Sequence, residues 1–257
     1  MCTYLLELLY FMEDYKQYGQ EGLNLPHDVV KLPSGGLFYK NKKKSVKVGY
    51  LTASDENILI AGGSDLTLNL LRNKIYEPDI RPEDMLDGDV EAILIFLRNT
   101  AFGPDMELNL TDPVTKKQFK VNVRLDEMNI ISGLNPSEDG SFSTVLPKTG
   151  FNVKLKPLTF GESSELNKAI SSYPAGRVAP TVTMRLQRQI IELNGITDKG
   201  EIVKEIEKLP IADSKYIKKF LSENEPRLDM SKIITTPSGD RLTVEVGFGA
   251  DFFRPFF

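Results

Sequence analysis

The chain has 257 residues, 40% of them hydrophobic and 26% charged. That length suits one large domain or two of about 100–150 residues, and the composition lies outside the disordered range. With 32 basic and 36 acidic residues the net charge is −4, so no global basic excess points to nucleic acid, and a single cysteine (Cys2) and a single histidine (His27) exclude an internal disulfide and a complete Cys/His zinc site.

Residues Met1–Tyr18 are apolar at Leu5, Leu6, Leu8, Leu9, Phe11 and Met12. Glu7, Glu13 and Asp14 interrupt the run, which fits neither a signal peptide nor the roughly 20 apolar residues of a membrane span. The spacing predicts a short amphipathic helix with Tyr4, Leu8, Phe11 and Tyr15 on one side, docked on its own domain or on another protein. Gly19–Val30 reads as a link, with His27 an ordinary surface residue beside Pro26.

The stretch Leu32–Leu59 reads as turn, strand, charged turn, strand and helix start. Pro33-Ser34-Gly35-Gly36 is turn chemistry, and Gly35-Gly36 is no phosphate loop because no Gly-Lys-Ser/Thr follows. Val46 and Val48 alternate with Lys47 as in a half-buried strand. Thr52 or Ser54 caps the following helix, with Asp55 and Glu56 in its first turn. The dense basic run Lys40–Lys47, with Lys42, Lys43 and Lys44 at its centre, is either a solvated hairpin tip or a contact for an acidic or phosphate-bearing partner.

Asp65–Tyr76 is expected to form a second amphipathic helix. Asp87 or Asp89 caps a third and strongly apolar one through Ile93, Leu94, Phe96 and Leu97. Leu108, Leu110, Phe119, Val121 and Val123 alternate on either side of a polar turn, which predicts a hairpin. Residues 129–144 form the best linker.

The second half repeats the order. Leu146–Leu166 shares the L-P, V-K-V/L and L-T skeleton of Leu32–Leu59. Helices are expected over Phe160–Ile170, Val182–Leu193 and Asp198–Leu209, and from Asp213 as cap onward. A final hairpin turns at Pro237-Ser238-Gly239-Asp240. The expected fold is α+β: an N-terminal helix and linker (1–30), a first subdomain of hairpins and amphipathic helices (31–128), a linker (129–144) and a second, similar subdomain (145–257).

No catalytic constellation stands out. Acids at helix starts are usually caps and dipole partners, and His27 in a Pro-adjacent link is a poor base. The end of the chain is more distinctive, with Phe248, Phe252, Phe253, Phe256 and Phe257 around Arg254. These side chains either tuck onto their own domain or form an aromatic anchor for a partner.

In order, Leu32–Tyr39, Val46–Leu59, Leu86–Arg98, Leu108–Val123, Ile233–Val246 and Gly247–Pro255 resemble the baseplate hub assembly proteins of T4-type contractile-tailed phages. That resemblance implies a non-enzymatic protein without cofactor. It would help the central tail hub assemble in the host cytoplasm by contacts with hub or tail proteins, or remain in the virion as a structural part. In many members each hairpin turn resembles a C-P-x-C-G zinc knuckle. Here Asp112–Lys116 and Thr236–Asp240 stand at those turns and every Cys is gone. No metal site carries over, and the turns are expected to hold by backbone geometry and strand packing alone. The partner-binding candidates are the Phe-rich end with Arg254, the helix side of Tyr4, Leu8 and Phe11, and Lys42, Lys43 and Lys44.

Overall fold

The computed structural model describes residues 26–61, 66–174, 176–248 and 250–253. The expected helix bearing Tyr4, Leu8 and Phe11 lies outside them, as do Arg254, Phe256 and Phe257. Among the described residues are seven α-helices and eleven strands, all paired antiparallel in small sheets, so the fold is α+β.

In the first unit, strand β1 (His27–Lys31) pairs with β2 (Ser45–Gly49), Val30 opposite Val46. Alternation sends Val46 and Val48 into the core and Lys47 outward. Asp55 in the first turn of α1 (Ala53–Ala61) accepts the Thr52 N–H at 2.7 Å and the Thr52 hydroxyl at 2.6 Å. This closes the helix start, and the same carboxylate forms a buried ion pair with Lys74 of α2 (Leu66–Lys74). Ile75 bridges back to Val48 on the far side of β2. Helix α3 (Asp87–Phe102) then crosses the core with Val90, Ile93, Leu94 and Leu97. The hairpin β3 (Asp105–Thr111) and β4 (Gln118–Arg124) follows, then β5 (Ile130–Ile131).

The second unit also begins with a strand pair and ends with a hairpin, but has four helices and a strand inserted among them. Strands β6 (Phe142–Val145) and β7 (Asn152–Leu155) pair. Thr159 then caps α4 (Phe160–Ser171) in a reciprocal box with Glu162. After α5 (Thr181–Gln189), β8 (Ile190–Leu193) pairs with β7. Helix α6 (Lys199–Ile206), capped by Asp198, and α7 (Ile211–Asn224) lead to β9 (Arg227–Leu228), which pairs with β5. The hairpin β10 (Ser231–Thr235) and β11 (Arg241–Glu245) follows.

One device makes the two units alike beyond their first and last elements. Asp89 is the third residue of α3 and Asp213 the third of α7, and both are fully buried. Asp89 accepts the Ser34 N–H at 2.8 Å, the Ser34 hydroxyl at 2.5 Å and the Tyr39 hydroxyl. Asp213 accepts the Lys148 and Thr149 N–H groups at 2.8 and 3.0 Å. Each carboxylate therefore clamps a helix N-terminus onto the turn that follows the Leu-Pro of its unit. This corrects the expectation that Asp87 or Asp89, and Asp213, serve as caps. The residues preceding these helices are Leu86 and Pro210, which make no side-chain cap.

The remaining differences lie in segments whose partners are remote. His27–Val30, expected as link, belongs to β1 because Val46–Gly49 pairs with it. The expected linker 129–144 carries β5 and most of β6, whose partners come from Arg227–Leu228 and Asn152–Leu155. Helix α5 stops at Gln189, and Ile190–Leu193 become a strand because the edge of β7 offers them a ladder. The second core (Phe142, Val153, Leu155, Ile190, Ile202, Ile217) reaches no further along the chain than Leu221. From Leu228 on, Met230, Val246 and Phe252 join the first core. The units touch where Leu86 bridges Thr159 and where the Phe160 N–H donates to Met85 O at 2.7 Å. A second contact sets the Phe38 ring 5.7 Å from that of Phe142.

Candidate functional site

The basic tip is shaped by backbone that few residues tolerate. Gly36 has φ 76°, and a Cβ there would lie 2.5 Å from Lys43 O, so only glycine lets the two sides of the loop approach. Lys42 itself has φ 49°. The three central lysines divide. Lys43 Nζ reaches Glu77 Oε2 at 2.5 Å and Asp79 Oδ1 at 2.7 Å, ties the tip to residues 77–79 and is consumed internally. Its hydrogen bonds to Asp79 and Glu77 raise its pKa, and the same bonds lower theirs. Lys42 donates to Leu37 O at 3.0 Å yet stays exposed, as does Lys44.

Strand pairing adds residues that the sequence did not mark. Lys31 lies opposite Ser45 and Val29 opposite Lys47, so Lys31, Val29 and Lys47 share one face of the β1–β2 hairpin. Lys31 and Lys47 are exposed and Val29 is 61% exposed. Lys40, Lys42 and Lys44, in the loop that joins the two strands, are exposed as well. The signal for Lys31 and Val29 was the register with Ser45–Gly49, which no local pattern reveals.

The Phe-rich end behaves differently. Phe252 is 1% exposed and belongs to the first core. Phe248 and Phe253 are half-buried and flank it, with ring centres 4.7 and 4.9 Å from its own. The buried Arg98 guanidinium lies 5.8 Å from the centre of the Phe252 ring and donates to the Gly103 and Asp105 carbonyls, joining the end of α3 to the chain terminus.

The two hairpin turns meet. Asp112 is buried; its Oδ1 accepts the Val114 and Thr115 N–H groups at 2.9 Å each, and its Oδ2 accepts the Ser238 N–H at 3.0 Å. In the other turn the Thr236 hydroxyl accepts the Asp240 N–H at 3.1 Å. A carboxylate thus fastens one turn to the other, correcting the expectation that backbone and strand packing suffice. The amides of Thr115 and Val114, with Ser238, hold the Asp112 carboxyl down at about 2. A carboxyl so depressed contributes stability that is present above its unfolded value of about 3.9 and is lost as pH falls toward 2. In acid unfolding series, Asp112→Asn is therefore expected to be less stable than the parent near neutrality. The gap should shrink as pH drops through that window; a gap constant with pH would contradict the assignment.

The other candidate acids have partners within the fold. Asp55 is spent on Thr52 and Lys74, and Asp87 accepts the Ser163 hydroxyl at 2.7 Å. His27 is exposed with its ring edge-on to Tyr76. Among the described residues no His, Cys, Asp and Glu gather as a metal site, and no helix is long and apolar enough to cross a membrane.

Comparison with known proteins adds two results. The family model described as "T4 bacteriophage base plate protein" matches residues 27–254. An adenylate kinase of Clostridioides difficile (strain 630) is 27% identical over 114 residues. That match spans 44% of this chain and 47% of the kinase, so the chain spans about half the length of the relative. No solved structure matches.

Proposed function

The chain belongs to the T4 bacteriophage base plate protein family, and from that premise we propose that it is a non-enzymatic assembly factor for the central hub of a contractile tail baseplate. In this reading it works in the host cytoplasm during phage assembly, through contacts with hub or tail proteins. Its family gives it a baseplate-related role; the transient role rests on the surface of the β1–β2 hairpin.

That surface is the observation that carries the reading. Lys31 and Lys47 flank the exposed Val29 on one face of the hairpin, Lys40, Lys42 and Lys44 are exposed in the adjoining loop, and among the described residues none of the five is in an ion pair. Charge of one sign beside an apolar side chain suits fast, reversible capture of an acidic protein surface. Kinase chemistry is not part of the proposal: a phosphate cradle of the P-loop type needs Gly-Lys-Ser/Thr opening a helix, and Gly-Lys occurs nowhere in the sequence.

The test is capture of hub proteins by the full chain carrying Lys31→Glu, Lys42→Glu, Lys44→Glu and Lys47→Glu. Binding is expected to weaken by about tenfold or more, with greater loss at low salt and an unchanged circular dichroism spectrum. Undiminished capture would remove the hairpin face as the docking surface. Lys43→Glu is a different control: it breaks the internal pairs with Glu77 and Asp79 and is expected to loosen the tip itself.

A further inference from the structure

A cleft of about 430 Å³ lies where the two units meet. Charged side chains enter it from five elements: Asp87 and Glu91 from α3, Arg185 from α5, Lys218 from α7 with Glu225 just past its end, Arg227 from β9 and Glu245 from β11. Asp87 and Glu91 are four residues apart and share a face of α3. Among the described residues none of these groups is in an ion pair. Arg227 gives its guanidinium to the Ser222 and Glu225 carbonyls instead. Glu225 Oε1 is sealed from solvent and has no hydrogen-bond donor.

At the floor of the cleft the walls touch backbone to backbone. A Cβ at Gly88 would stand 2.4 Å from Pro226 O, so no space separates α3 from the chain leading into β9. Ionised carboxylates gathered in a part-buried cleft disfavour one another, and the sealed Glu225 Oε1 has no water to offset its charge. Burial pushes Glu91 and Glu225 up to about 7, with Asp87 the next cause for both, while Arg227 draws both back and Arg185 acts on Glu225. Burial also raises Asp87, which the Ser163 hydroxyl and Arg185 oppose.

We propose that the cleft is a proton-sensitive contact between the two units. Below neutrality Glu91 and Glu225 are neutral and pack against the cleft walls; above it both ionise beside Asp87, and the packing of α3 against the end of α7 loosens. The loosening is local. The Leu86–Thr159 bridge on one side and the β5–β9 pairing on the other keep the units joined.

The sign of the linkage is fixed. Acids raised in the fold cost nothing below their unfolded value of about 4.3, and their penalty grows until pH passes about 7. The experiment is hydrogen exchange by mass spectrometry on the full chain from about pH 6 to about pH 8, corrected for the intrinsic rate. It follows peptides covering 86–92 and 222–228, with the β3–β4 hairpin as internal reference. Protection in the two cleft peptides is expected to fall on the order of tenfold across that range while the hairpin stays constant. In Glu91→Gln/Glu225→Gln, where amides mimic the protonated acids, protection should stay high throughout. The single Glu225→Gln should show a smaller fall than the parent. Constant protection in the parent, or an equal fall in the double variant, would overturn the proposal. Carboxyl carbon NMR provides a second reading that needs no variant: midpoints near 7 for Glu91 and Glu225 support it, and midpoints near 4.3 overturn it.

Discussion

Asp89→Ala is expected to destabilise the protein by about 3–5 kcal/mol, read as a lower midpoint in urea unfolding. The size follows from what the substitution strands. The Ser34 N–H, the Ser34 hydroxyl and the Tyr39 hydroxyl all donate to this one carboxylate, and Asp89 is fully buried. Each orphaned buried donor costs about 1–3 kcal/mol, less than additively, since one water can serve two of them. Tyr39 also accepts the Leu86 N–H at 3.0 Å, so losing Asp89 frees the group that orders the start of α3. Single removals should be milder: Ser34→Ala and Tyr39→Phe at about 1–2 kcal/mol each. A loss below about 1 kcal/mol for Asp89→Ala would show that the turn after Leu32-Pro33 holds without its clamp.

Phe252→Ala is the second large effect, also about 3–5 kcal/mol. The ring is 1% exposed, lies between Phe248 and Phe253 and faces the Arg98 guanidinium. Truncation opens a cavity and strips Arg98 of its aromatic cover; Arg98 Nε already lacks a hydrogen-bond partner. The same substitution separates two roles for the end of the chain. If Phe252 staples the terminus to the first core, stability falls and hub binding changes only in proportion to the folded fraction. A protein that stays equally stable yet loses partner binding would return Phe252 to the interface.

The sequence disclosed whatever is local. The alternation of Val46 and Val48, the Thr-plus-acid signature at Thr52–Asp55, the helix opening at Phe160, the apolar face of α3 and both hairpins depend on neighbours a few residues away. The recurrence of L-P, V-K and L-T was likewise visible. What stayed hidden depends on remote partners. An acid near a helix start looks the same whether it caps its own helix or reaches across to another segment, and Asp89 reaches a turn 55 residues earlier in the chain. Asp112 looked like an ordinary turn residue until Ser238 stood against it. Ile190–Leu193 continue a helical pattern and become a strand only because β7 has a free edge. Of the basic run, composition could not say that Lys43 is held internally while Lys42 and Lys44 face solvent, nor that Lys31 and Val29 share a face with Lys47.

The Asp89 and Asp213 clamps, the two Thr-acid helix starts and the paired hairpin turns tie helices and turns together in both halves of the chain. Such ties help to present the β1–β2 face in one geometry, which lowers the ordering cost of each capture. The most direct test of a transient assembly role is quantitative mass spectrometry of purified mature particles beside isolated baseplate assembly intermediates. A hub assembly factor is expected in stoichiometric amounts on the intermediates and far below stoichiometry in mature particles. The chain at full stoichiometry in mature particles would contradict that role and make it a permanent baseplate component.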